Sequence, residues 1–285
     1  MKILAFSVTV LSACSLAAFG QGFQGSFDRT LNVSGAVELD AKTDSGGITI
    51  TPGSAGSVQV HAILKGNHGH MWDSRDVEQR IRALEQNPPV VQTGNTIRIG
   101  YVSDKNLLKG VSMRLEITTP IETKVRAQAD SGGIRVSGVR GPVDCHTDSG
   151  GIEATDIGAE VRAAVDSGGI HVRNVRGPVV ASADSGGIEL TEIAGSVDAK
   201  TDSGGIRISQ NAPGSIRARA DSGGARIKLT SNGGYDINAS SGSGRITVPE
   251  MVVRGSISKH KAEGRVRGGG PLIDVHVDSG NVDIE

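Results

Sequence analysis

VDCHTDSGGIEATDIGAEVRAAVDSGGIHV, residues 143–172, contains one unit twice: Asp148-Ser149-Gly150-Gly151-Ile152 returns as Asp166-Ser167-Gly168-Gly169-Ile170. Working outward, the same Asp stands at Asp130, Asp148, Asp166, Asp184 and Asp202, all in one period, then at Asp221, one position late, with an early copy at Asp44. Weaker copies follow at Gly242-Ser243-Gly244-Arg245-Ile246, Ala262-Glu263-Gly264-Arg265-Val266 and Asp278-Ser279-Gly280-Asn281-Val282. Self-similarity at a fixed period is the mark of stacked coils, each coil one repeat.

Columns become visible when the repeats are aligned. Before the turn, one inward column reads Val125, Val143, Val161, Val179, Val197, Ile216, and the next reads Ala127, Cys145, Ala163, Ala181, Ala199, Ala218. After the turn come apolar-polar-apolar triplets such as Ile134-Arg135-Val136 and Ile170-His171-Val172, and Val139, Ile157, Val175 and Ile193 mark a third corner. Alternation with period two is the signature of half-buried strands. The expected fold is therefore all-β, a parallel β-helix or β-solenoid with 18-residue coils. Apolar marks every six residues, as in left-handed hexapeptide helices, are absent. A right-handed or irregular coil fits better, and the columns leave the hand open.

With 41 glycines and 2% aromatic residues, the chain lacks the large side chains of a thick core and suits a narrow one wrapped by tight turns. The formal net charge of −1 excludes the basic footprint of a nucleic-acid binder.

Residues 1–20 read as a secretory signal peptide: Lys2, an apolar stretch from Ile3 to Leu11, and Ala18-Phe19-Gly20 before Gln21. Leu11-Ser12-Ala13-Cys14 is also similar to a bacterial lipobox, which would make Cys14 a lipidation site. The short apolar run before Cys14 favours ordinary cleavage near Gly20. No later segment approaches the ~20 apolar residues needed to span a bilayer as a helix. The expected destination is the periplasm, the outer surface or the medium.

Residues 21–285 are expected to form one solenoid domain, with residues 51–123 as an insert near its N-terminal end and residues 124–285 as a regular array. Within the insert, Ser57 to Leu64, Val90 to Val102 and Val111 to Thr118 read as strands. A helix is expected at about 73–86, with Asp73 or Ser74 as cap and Val77, Ile81 and Leu84 on one face. Its expected role is to cover a strand edge.

Phe27-Asp28-Arg29-Thr30-Leu31 with Val33-Ser34-Gly35, the early turn at Asp44, the helix-bearing insert and the later Gly-Ser-Gly-like run resemble the bacterial putative-adhesin family of β-strand-repeat envelope proteins. They are also similar to auto-transporter-adhesin-like head (GIN) domains. The resemblance covers nearly the whole mature chain. It implies a β-helical fold and an envelope or surface location, and it carries no catalytic residues.

Asp-Ser-Gly-Gly also surrounds the nucleophile of chymotrypsin-like proteases, but a nucleophile needs one base and one orienter in a unique cleft. A ladder of Asp44, Asp130, Asp148, Asp166, Asp184, Asp202 and Asp221 reads instead as structural turns. Each Asp is expected to bond backbone N–H groups and each Gly pair to take positive φ. Calcium between stacked Asp residues is the lesser alternative, because the half-repeat lacks its own Asp and the second Gly-x-Asp element is missing; no other cofactor is expected. His68 and His70 lack a third ligand at metal spacing. His146, His171 and His276 fall at outward positions. The column Arg135, Glu153, His171, Glu189, Arg207 should stack in register as neighbours of alternating charge.

Polysaccharide-cleaving β-helices use aromatic platforms, whereas the mature chain has only Phe23, Phe27, Trp72, Tyr101 and Tyr235 as aromatics. The leading expectation is a non-catalytic adhesion or interaction scaffold, whose partner is an envelope or surface protein or glycan. Second stands a periplasmic structural or envelope-stress protein without a dedicated ligand, and third a polysaccharide-acting enzyme.

Overall fold

The computed structural model describes residues 23–66, 74–248 and 251–285. The expected signal segment with Cys14, the His68–His70 stretch, Trp72 and Asp73 lie outside the described residues. A coil consists of two strands joined by the Asp-Ser-Gly-Gly turn, for example Val143–Ser149 and Ile152–Ile157. Each strand pairs in parallel with its counterpart one repeat away: Val143 lies beside Val161, and Ile152 beside Ile170. Stacking builds two long sheets, of 12 and 13 strands, whose inward columns form one continuous core.

The turn geometry explains the motif. Gly150 has φ +149°, and a Cβ there would sit 2.3 Å from the Gly132 carbonyl oxygen. Only glycine satisfies both the left-handed backbone and the close approach of the neighbouring coil. The second glycine is different: Gly151 is not in the left-handed region, and its Cβ would meet the Gly169 oxygen at 3.3 Å. The expectation that both glycines take positive φ thus holds only for the first.

The role expected for Asp is corrected as well. The Gly150 and Ile152 N–H groups donate to the Ser167 and Gly169 carbonyls at 3.0 Å, so the next coil already satisfies the turn. The Asp carboxylates point outward, and among the described residues none of the seven accepts a backbone N–H. The side chain that bonds the turn is the inward residue one position earlier. Thr147 Oγ1 donates to the Gly132 carbonyl and Thr201 Oγ1 to the Gly186 carbonyl, both at 3.0 Å.

At the third corner Gly138, Asp156, Asn174 and Glu192 occupy the left-handed region at φ 54–70°. This bend brings Ile157, Val175 and Ile193 inward, where each is buried. In the next coil Gln210 takes the place of the apolar residue one position early, and the longer connection from Gln210 to Ile216 more than makes up the difference, so that Asp221 falls one position late.

Residues 51–123 prolong the stack. Thr96–Ile99 pairs in parallel with Val37–Ser45, and Val111–Thr119 with Ile48–Pro52, so they form a degenerate further coil. Gly100 repeats the turn logic, its Cβ direction lying 1.8 Å from the Lys42 oxygen. The stretch 90–102, expected as one strand, is a hairpin of Val90–Thr93 and Thr96–Ile99. Antiparallel strands Ser57–Gly66 and Gln24–Asn32 then extend one sheet. The helix Ser74–Gln86 packs Val77, Ile81 and Leu84 against this end, and Glu85 accepts the Ser26 N–H at 2.8 Å.

At the other end the array departs from chain order. The strand that follows Ile216–Ser222 in space is Leu272–Ser279, and Tyr235–Ser241 lies beyond it. Lys261–Val266, expected as a turn copy, is an antiparallel strand on Tyr235–Ser241. Parallel in-register stacking requires matching columns, and the Asp278 copy matches Asp221 better than the degenerate copies do.

Candidate functional site: the outward ladders

Because side chains alternate across a strand, every inward column has an outward partner column at the ~4.8 Å strand spacing. On the 12-strand sheet the expected column is in place: Arg135, Glu153, His171, Glu189 and Arg207 are direct cross-strand neighbours. Arg135 pairs with Glu153 at 2.7 Å, and His171 with Glu189 at 3.4 Å. Toward the helix end the column continues through Thr49, Glu116 and His61 to Asp28, which pairs with His61 at 2.8 Å. Beside it the small second glycines leave a shallow groove of about 550 Å³ along Gly47, Gly133 and Gly151, flanked by Arg114, Glu116 and Arg135.

The 13-strand sheet carries a column that the sequence reading did not single out: Arg98, Asp40, Arg126, Asp144, Arg162, Val180, Asp198, Arg217, Asp274. Ion pairs of 3.6–3.7 Å link Arg98 to Asp40, Arg126 to Asp144, and Arg217 to Asp198. Its signal was present in the aligned repeats, as the residue after the first inward Val. Tyr101 stacks on the Arg98 guanidinium with 4.1 Å to the ring centre and donates to Asp40 at 2.7 Å. Burial and the Asp40 charge push the Tyr101 hydroxyl above its ordinary range.

The Asp ladder borders the same sheet. Asp44, Asp130, Asp148, Asp166, Asp184, Asp202 and Asp221 occupy one column, extended by Asp278. Basic residues two positions earlier face several of them: His146 to Asp148 at 3.2 Å, Lys200 to Asp202 at 3.1 Å, His276 to Asp278 at 2.9 Å. Lys42 reaches Asp130 at 3.7 Å. The bond to Asp202 raises the Lys200 ammonium pKa, and the hydrogen bond from Lys124 lowers that of Glu38. Lateral basic side chains therefore face several of the stacked carboxylates, where backbone bonding had been expected. Among the described residues no group of three or more His, Cys, Asp or Glu is placed to hold a metal ion.

His146, His171 and His276 are surface residues, as their outward positions suggested. Cys145 is buried in the alanine column, and burial raises its thiol pKa strongly, the opposite of an activated nucleophile. No described helix is long and apolar enough to cross a membrane. The arrangement can present fixed rows of charge and hydrogen-bonding groups to an extended partner.

The model of the family described as Toastrack DUF4097 matches residues 36–285. No curated protein matches. Among solved structures the chain is similar to a putative adhesin from Bacteroides fragilis NCTC 9343, at 16% identity and a TM-score of 0.46, over 92% of this chain and 97% of that one. It is also similar to a putative cell adhesion protein from Clostridium sporogenes ATCC 15579, at 13% identity and a TM-score of 0.28, over 92% and 99% of the two chains.

Proposed function

This chain belongs to the Toastrack DUF4097 family, and from that premise we propose that it is an exported, non-catalytic scaffold of the cell envelope or surface that holds an extended protein or glycan partner. The observation that carries this reading is the outward column Asp28–His61–Glu116–Thr49–Arg135–Glu153–His171–Glu189–Arg207, charged or titratable at every position but Thr49 and evenly spaced on one sheet. Rows of this kind suit many weak, regularly spaced contacts rather than one deep site. Polar contacts in series give register and specificity more than raw affinity.

The test uses labelled full-length chain on whole cells and on extracted surface glycan. Binding should be saturable, weakened by salt, and reduced in the double variant Arg135→Glu, Arg207→Glu while circular dichroism stays unchanged. Equal binding by wild type and variant would overturn the assignment to this column. Finding the native protein only in the cytoplasmic fraction would overturn the export reading.

A further inference from the structure

The column on the 13-strand sheet does not alternate throughout. From Arg98 through Asp40, Arg126, Asp144 and Arg162 the signs alternate strand by strand; then Val180 interrupts, and Asp198, Arg217 and Asp274 resume in the opposite phase. Continued alternation would have placed a cation at position 198. The slip makes the column antisymmetric: positions equidistant from Val180 carry opposite charge. Arg162 matches Asp198, Asp144 matches Arg217, and Arg126 matches Asp274. Further out, Asp40 matches the amide of Asn238, and Arg98 matches Glu263.

We propose that the 13-strand face is an isologous dimer interface, with a twofold axis lying along the strands through Val180. Such an axis lays each column on itself with coil order reversed, so every Arg of one copy meets a carboxylate of the other. Val180, 41% exposed, is among the few large apolar residues on the described surface and sits at the centre beside exposed Pro178. An apolar centre inside a charged rim is the anatomy of protein interfaces.

The neighbouring column agrees. Most coils carry a long polar side chain two residues before the Asp, but Ala164 and Ser182 stand at the middle. Among the described residues Asp166 and Asp184, two residues beyond, have no ion-pair partner, whereas Asp148 and Asp202 do. The same axis places the second copy's Lys200 over Ala164, beside Asp166. The Asp column itself lies at the bend into the turn. The same operation lays this column against its own copy, with the second copy's Lys200 beside Asp166 and its Arg219 beside Asp148. The 12-strand sheet is the contrast: about His171, Arg135 matches Arg207 and Glu153 matches Glu189, so the equivalent operation sets like charges together. That face stays free for the proposed partner, and the dimer stands whether or not that partner is found.

Sedimentation velocity on the full chain at about 0.15 M salt, over concentrations up to about 100 µM, reads the association directly. Wild type should dimerise, and Val180→Asp should be monomeric. Arg162→Asp and Asp198→Arg should each weaken association by about tenfold or more. The double variant Arg162→Asp, Asp198→Arg should recover it, because the exchanged charges meet across the axis. Within one chain these residues lie two strands apart, and both variants keep their new like-charged neighbours Asp144 and Arg217, so an internal effect cannot produce the recovery. A monomeric wild type throughout the range, or a double variant as weak as the singles, overturns the proposal.

Discussion

Within one turn, two adjacent glycines carry unequal burdens. Gly186 has φ +150°, and a Cβ on it would lie 1.8 Å from the Gly168 carbonyl oxygen, while at Gly187 the nearest such contact, to the Gly205 oxygen, is 3.6 Å. Gly186→Ala should therefore cost about 2–5 kcal/mol, through strain and displacement of the stacked coil. Gly187→Ala should stay within about 1 kcal/mol. Urea unfolding of the two variants checks the contrast, and equal costs would contradict the turn geometry. The third corner offers the converse case. Glu192 holds φ 58° with its side chain exposed, where Asn174 of the preceding coil holds φ 54°. Asn tolerates the left-handed region better than Glu, so Glu192→Asn should raise stability by about 0.5–1 kcal/mol.

A coil is the unit that can be added or removed. Residues 150–167 join Ser149 to Gly168, and Ser149 and Ser167 are register partners, as are Val143 and Val161. Deleting this whole segment should leave every column intact and a shorter cooperative fold, with the β-sheet signal scaled to length. Deleting half of it would bring an inward column of one sheet against the turn of the next coil and should abolish cooperative unfolding. Circular dichroism with urea titration separates the outcomes, and equal damage by both deletions would count against the coil assignment. The repeat was legible at this scale because stacking copies the same local demand one coil later. The function assigned to each motif residue was less legible. An Asp before Gly-Gly ordinarily caps a turn through nearby N–H groups, whereas here those groups already belong to the adjacent coil.

For the whole molecule, the order of strands in space decides what each end tolerates. Leu272–Ser279 and Val282–Ile284 sit between the Asp221 coil and the strands Tyr235–Ser241 and Ile246–Thr247. A chain ending at Gly270 should therefore lose more than its last residues. Residues 229–270 should become sensitive to limited proteolysis while residues 23–228 remain protected, with mass spectrometry of the fragments as readout. Continued protection of 229–270 would mean that the C-terminal coil is dispensable, as a repeat array in simple chain order would have it. The amino-acid sequence by itself determined the coil length, the inward columns, the turn glycines and the charged column through His171, since each follows from local periodicity repeated in register. Only the tertiary structure decided that the Asp278 coil is threaded between earlier segments, that residues 96–119 continue the stack, and that the Arg and Asp residues around Val180 form an antisymmetric row. Those features depend on which strands become neighbours, and neighbours are chosen by the fit of whole columns and exposed edges, a quantity that no single stretch of chain contains.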